Sequence, residues 1–102
     1  MTPERVTVWR PEAVNESLAA AEYYDEKREG LGSEYLACVT EAVGRAKRQP
    51  RSFVKIDGEV RRVLTRRFPY GVFFLIENDR IVILAVGHVR QAPGLWQRKG
   101  EA

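Results

Sequence analysis

The sequence is poor in the residues that build metal and redox sites. Its 102 residues include one cysteine, Cys38, and one histidine, His88. A single cysteine cannot form a disulfide within the chain, and these two residues cannot supply a Cys-rich or multi-His metal site. We therefore expect a reducing compartment, an inert thiol and no metal or other cofactor.

Long apolar runs and the common catalytic motifs are also lacking. No segment approaches the roughly 20 apolar residues that cross a membrane, and MTPERVTVWRPEAV at the start has no apolar run of signal-peptide length. A phosphate-binding Gly-rich loop, G-x-S-x-G, H-E-x-x-H and C-x-x-C are all missing. The length fits one domain, residues 1–102. We expect a cytoplasmic location without membrane contact.

Positive charge, by contrast, is abundant and concentrated in the middle of the chain. Residues 1–44 hold four Lys/Arg and nine Asp/Glu, a net charge of −5. Residues 45–67 hold nine against two, or +7, and residues 68–102 hold four against three, or +1, which together give +3. This asymmetry predicts either a face built for an anionic partner or a solvated basic surface that balances an acidic one.

A short strand and a first helix open the predicted fold. RVTVW at 5–9 alternates as a strand does, and Pro11 suits the first turn of a helix that we expect over residues 11–30. The expected core-facing stripe of this helix consists of Val14, Leu18, Ala21 and either Tyr24 or Asp25.

A second helix should follow the glycines at 30 and 32. Ser33 has the side chain of a helix cap, and the helix should end before Pro50. Apolar residues recur at helical spacing, which predicts a core-facing stripe of Tyr35, Val39, Ala42, Val43 and Ala46. Because about three residues join the two helices, they should form an antiparallel hairpin.

The alternating and apolar patterns of the remaining chain predict strands. FVKID at 53–57 is a weak strand, and EVRRVLTRRF at 59–68 alternates. The apolar runs at 71–77 and 80–89 are joined by the polar turn END. We therefore predict an α+β fold in the order β-α-α-β-β-β. The helical hairpin should pack on one face of a small, mainly antiparallel sheet whose other face is concave or open.

Arginines dominate the candidate binding residues. On the alternating strand, Arg62 and Arg66 should share one face and Arg61 and Arg67 the other. Arginine pairs bidentately with phosphate and carboxylate, so a nucleic acid or acidic partner would meet a set consisting of Arg61, Arg66, Arg67, Lys55 and Arg51. In the alternative interpretation, Arg62 and Arg66 pair with helix glutamates, which leaves Arg61 and Arg67 exposed.

The segment "RRFPYGVFFLIENDRIVILAVGHVRQAP" followed by Trp96 resembles the C-terminal half of the RelE/ParE superfamily of toxins from type II toxin–antitoxin modules. The first half of the chain also agrees with the pattern of this superfamily, since it has a short strand, Tyr23–Tyr24 on a helix, LG at 31–32, a second helix and a proline at 50. The resemblance covers about residues 5–98. It implies a small bacterial toxin that a cognate antitoxin holds inactive.

The superfamily implies two kinds of target. RelE-like members cleave messenger RNA on the ribosome by 2′-hydroxyl attack on the adjacent phosphate, assisted by cationic side chains and a proton carrier. ParE-like members poison DNA gyrase without hydrolysis. This chain departs from the nuclease pattern, since no arginine follows Tyr70, Gln91 replaces an arginine and Trp96 replaces a tyrosine.

Three residues remain for a catalytic set: Arg62, His88 and Arg90. His88 could act as a base near neutral pH, or it could be a structural residue at a strand end. The sequence thus leaves three hypotheses: a ribosome-dependent endoribonuclease, a gyrase inhibitor, and a non-toxic, degenerate member that acts only as an antitoxin-binding co-repressor. In each, operator DNA would be reached only through the antitoxin.

The antitoxin is expected to be an acidic, amphipathic partner. An arginine-rich sheet and a hydrophobic flank between helices should attract such a segment. We expect its C-terminal region to lay carboxylates near the arginines at 61–67.

Overall fold

The computed structural model describes residues 6–90. Two helices, a short 3-10 helix and five strands follow one another: β1 (Val6–Trp9), α1 (Pro11–Lys27), α2 (Leu31–Arg48), the 3-10 helix (Pro50–Ser52), β2 (Lys55–Asp57), β3 (Val60–Leu64), β4 (Tyr70–Glu77) and β5 (Arg80–His88). The predicted α+β class and the order of elements are confirmed. The predictions for the tail, including those for Gln91 and Trp96, lie outside the described residues.

The strands form one sheet in the order β1-β5-β4-β3-β2. The first strand, β1, pairs in parallel with β5, and the other pairs are antiparallel. The weak strand predicted for FVKID corresponds to the three-residue β2, which is the fifth strand of the sheet and lies at one edge. At the opposite edge β1 has β5 as its neighbour.

Both helices pack against one face of the sheet. In α2 the predicted stripe is confirmed: all five of its members are buried, and Tyr35, Ala42 and Ala46 are completely inaccessible. They meet the inward side chains of the strands, among them Val63 and Phe74. Removal of this apolar surface from water is the main source of stability for a domain of this size.

The predicted stripe of α1 is wrong at two positions. Val14 and Leu18 are 39% and 54% exposed, whereas Ala21 is buried as predicted, together with Ala13 and Ser17. Small residues on the inner side let α1 approach the sheet closely. The Glu16 carboxylate of α1 accepts a hydrogen bond from the Val86 N–H at 3.0 Å, which ties the helix to β5.

The second helix begins two residues earlier than predicted. Gly30 precedes it with a φ of +87°, a left-handed conformation that favours glycine. No side-chain cap is contributed by Ser33. The Gly32 N–H instead donates to the Asp25 carboxylate of α1 at 2.8 Å, so the cap comes from the preceding helix.

The alternation predicted over 59–68 holds only as far as Leu64, where β3 ends. The Thr65 hydroxyl then donates to the Phe68 carbonyl within a tight loop. This loop turns Phe68 into the core, where it is 9% exposed, and moves Arg66 and Arg67 off the sheet.

The face of the sheet away from the helices is not open at its centre. Phe73 and Val82 lie on it and are 4% and 3% exposed. None of the helices within residues 6–90 has the length and apolar character needed to span a membrane.

Candidate functional site

Arg62 lies on the face of the sheet away from the helices. It is opposite Phe73 on β4, whereas its neighbour Val63 points into the helix-side core. Its aliphatic stem lies over Gly71, where a Cβ would come within 3.2 Å of the Arg62 Cγ. Because Gly71 has no side chain, it leaves room for the aliphatic stem of Arg62.

His88 lies at the end of β5, on the helix side of the sheet. It is paired with Tyr70, and the two ring centroids are 5.5 Å apart in an edge-on arrangement. Its Nδ1 accepts a hydrogen bond from the Arg90 N–H at 3.1 Å. A neutral imidazole that accepts at Nδ1 carries its proton on Nε2. The Nδ1 lone pair is therefore already used within the chain.

The strand register keeps these two residues apart. Arg62, Phe73 and Ala85 form one cross-strand row, and Tyr70 and His88 form another. The rows differ by an odd number of residues along β4, so they project from opposite faces. Arg90 is exposed just beyond β5. The structure therefore brings the backbone N–H of Arg90 to His88 and places Arg62 on the opposite face of the sheet from His88.

Arg61 is held by backbone carbonyl groups. Its guanidinium Nη1 donates to the Phe53 carbonyl at 2.7 Å and to the Arg51 carbonyl at 3.4 Å. It thereby fastens the segment that follows α2 to β3. The Arg51 side chain is exposed, and Lys55 pairs with Glu59 at 3.2 Å.

Arg66 and Arg67 pair with two glutamates of α2. The Arg66 Nε lies 3.3 Å from Glu41 and the Arg67 Nη1 lies 2.8 Å from Glu34. Each glutamate has a second arginine, since Arg45 contacts Glu41 at 2.8 Å and Arg28 contacts Glu34 at 3.3 Å. The loop after β3 is thus clamped onto α2. The pairing proposed for Arg66 is observed, and Arg67 has an equivalent one.

These contacts shift the titration of both carboxyl groups. The hydrogen bond from Arg45 is the main reason why the pKa of Glu41 is lowered, and the hydrogen bond from Arg67 does the same for Glu34. Both glutamates are charged at neutral pH, and they offset part of the positive charge that the sequence places at 61–67.

An aromatic cluster joins the helices to the end of the sheet. Tyr24, Tyr35, Phe68 and Tyr70 have ring centroids 4.8 to 6.1 Å apart. Burial raises the pKa of Tyr35, whose hydroxyl finds no hydrogen-bond partner within residues 6–90. The paired tyrosines at 23–24 are evident in the sequence. The sequence could not show, however, that Tyr24 packs in this cluster while Tyr23 is 52% exposed.

A cavity of about 330 Å³ lies between α2 and the edge strand β1. It is lined by Thr7, Trp9, Thr40, Val43, Gly44 and Lys47. Within the described part of the chain, no three His, Cys, Asp or Glu side chains converge in a way that could hold a metal ion.

The family model for the ParE toxin of type II toxin–antitoxin systems, parDE, matches residues 7–93. The chain belongs to the ParE toxin family. A structure of the chromosomal ParDE toxin–antitoxin system from P. aeruginosa is similar in fold, with a TM-score of 0.74 and 16% sequence identity. The match covers 83% of this chain and 96% of that one. None of the curated proteins matches the chain.

Membership of the ParE family confirms the resemblance that the RRFPY and ILAVGHVR motifs indicated. The chain is thus a type II toxin. Much of its basic character serves to assemble the fold, since Arg45, Arg61, Arg66 and Arg67 all have partners within the chain.

Proposed function

We propose that this ParE-family chain is toxic when free because it binds and inhibits DNA gyrase, and that a cognate antitoxin neutralises it. The family model describes a toxin of the parDE type, and the similar structure is of a ParDE system. Inhibition by binding requires a complementary surface and no hydrolytic residues. Operator DNA would be reached only through the antitoxin.

One observation carries the choice of gyrase over messenger RNA. A nuclease built on Arg62, His88 and Arg90 needs these side chains around one phosphate, within hydrogen-bond reach of the reacting atoms. Arg62 and His88 project from opposite faces of the sheet, and the Nδ1 of His88 is occupied by the Arg90 N–H. We therefore assign Arg62 and His88 structural roles.

Two assays with the purified chain test this proposal. In a gyrase supercoiling assay the chain should inhibit the enzyme, and Arg62→Ala and His88→Ala should inhibit it to a similar extent once circular dichroism shows that they are folded. In a cell-free translation reaction the messenger should remain intact. Messenger cleavage that His88→Ala abolishes would establish the nuclease alternative, and inactivity in both assays would favour the degenerate co-repressor.

A further inference from the structure

The face of the sheet away from the helices carries a second group of buried apolar residues. Within residues 6–90, four buried apolar side chains are not part of the core that the helices cover: Phe73, Val82, Leu84 and Ala85. The strand register places Phe73, Val82 and Ala85 on this outer face, and Leu84 lies where the pairing of β4 with β5 shifts by one residue. All four are at most 4% exposed.

Burial of this degree requires a layer of protein on top of the strands. Neighbours within a sheet shield only the flanks of a side chain, and a sheet face is removed from water only when another element packs on it. Both helices lie on the opposite face, and Phe53, which follows the 3-10 helix, packs there too, against Phe74. The cover of the outer face must therefore come from beyond the helices of the described chain.

The buried part of the outer face is a narrow stripe along β4 and β5. Leu64, at the β3 end of the same face, is 46% exposed, and Val6, at the β1 edge, is 65% exposed. A second copy of the chain would cover these positions as well, since a stable interface removes about 800 Å² of surface from each partner. A single short segment fits a stripe that leaves both sides of the face open.

The tail, residues 91–102, has the sequence of such a segment. It reads QAPGLWQRKGEA and follows the last described residue, Arg90. Pro93 and Gly94 favour a turn of the chain soon after β5. Leu95 and Trp96 come directly after this turn and supply a large apolar surface.

The tail is also long enough to reach the stripe. Ala85, which is opposite Phe73, lies three residues before His88, or about 10 Å along β5. The segment from Arg90 to Trp96 can span up to about 20 Å when extended. Residues 1–5 fit less well, because Met1 is their one large apolar side chain and they join the sheet at the exposed Val6.

We propose that the tail folds back over the outer face of the sheet, with Trp96 packed on Phe73 and Ala85. Arg62 belongs to the same cross-strand row as these two residues, so the indole would lie beside its guanidinium and attract it through the ring face. The tail would thereby close this face to nucleic acid, since a phosphate group could reach Arg62 only after the tail had been displaced.

The fluorescence of Trp96 in the full chain tests this inference. Trp9→Phe removes the other tryptophan, so the remaining emission reports on the tail alone. Trp96 should emit at shorter wavelength in the folded chain than in urea, and acrylamide should quench it several-fold less. Leu95→Asp in the same background should raise quenching towards the level in urea, because it places a carboxylate against the apolar stripe, while circular dichroism stays unchanged.

Two neighbouring arginines locate the site of Trp96 on the sheet. Arg62→Ala should increase the quenching of Trp96, because it removes one flank of the proposed site. Arg61→Ala is the matched control, since Arg61 is opposite Phe74 and belongs to the helix-side row. It should leave the quenching as it is in the parent chain, once circular dichroism shows that it is folded.

Three results would overturn the inference. The first is equal quenching of Trp96 in the folded chain and in urea, which would show that the tail does not pack. The second is protection of Trp96 to which Arg62→Ala and Leu95→Asp make no difference, which would place the indole elsewhere. The third is protection that disappears on dilution as sedimentation velocity shows a dimer dissociating, which would assign the outer face to a second copy of the chain.

Discussion

Replacement of Gly32 by alanine should separate the two helices and destabilise the fold. The new Cβ would collide with the Ala21 carbonyl oxygen and would lie 2.9 Å from the Asp25 carboxylate. Backbone cannot move aside as the end of a flexible side chain can, so α2 must shift. We expect an overpacking cost of about 1–3 kcal/mol and a loss of about 1.5–3 kcal/mol from the broken hydrogen bond to Asp25.

Alanine also favours a helix over glycine, by about 1 kcal/mol at an interior position. The net loss in the free energy of unfolding is then about 1.5–5 kcal/mol, which corresponds to a fall in Tm of at least about 6 °C for a domain of this size. Urea denaturation followed by circular dichroism measures it.

Gly44→Ala is the control, in the same helix. Its nearest neighbour is the Arg48 guanidinium at 3.2 Å, the far end of a flexible side chain. This variant should gain up to about 1 kcal/mol in stability from helix propensity. If Gly32→Ala is as stable as Gly44→Ala, the close approach of the helices at the hairpin end is refuted.

Three further predictions concern the contacts that hold the candidate residues. The pKa values of Glu34 and Glu41 are lowered in the fold, so their contribution to stability is complete above the ordinary carboxyl pKa of 4.5 and is lost as the pH falls below it towards the lowered values. When both are changed to glutamine, the Tm from thermal melts should fall less steeply as the pH is lowered into the acidic range. An unchanged dependence of the Tm on pH would contradict this. Gly71→Ala should cost about 1 kcal/mol by displacing the Arg62 stem, and a double-mutant cycle with Arg62→Ala should show that most of this cost disappears. Asp25→Ala should lower the free energy of unfolding by about 1–2 kcal/mol because the N-terminus of α2 loses its cap, whereas equal stability would show that the cap is dispensable.

The sequence predicted the elements whose apolar residues repeat strongly. All five stripe residues of α2 are buried, and the long apolar runs form β4 and β5. Val14 and Leu18 of α1 were predicted wrongly because the helix buries the small residues Ala13 and Ser17 in their place. Their role in the core comes from how closely the helix approaches its neighbours, which hydrophobicity does not encode.

The candidate site depended on information that the sequence does not carry. Whether Arg62 and His88 share a face is decided by the pairing register of β3, β4 and β5, and a shift of one residue would reverse it. The end of β3 at Leu64 likewise follows from the loop closed by Thr65. Pairing of Arg66 with a helix glutamate was one of the two interpretations of the sequence. The pairing of Arg67 with Glu34, on a helix more than 20 residues earlier in the chain, was not predicted.

Pulse labelling in bacteria tests the central claim most directly. The chain is induced alone, and incorporation of thymidine and of amino acids is followed over the first minutes. Inhibition of gyrase predicts that DNA synthesis fails first, and that His88→Ala behaves as the wild type does. Protein synthesis that stops first, with DNA synthesis continuing, would contradict the account and return Arg62, His88 and Arg90 to a nuclease site.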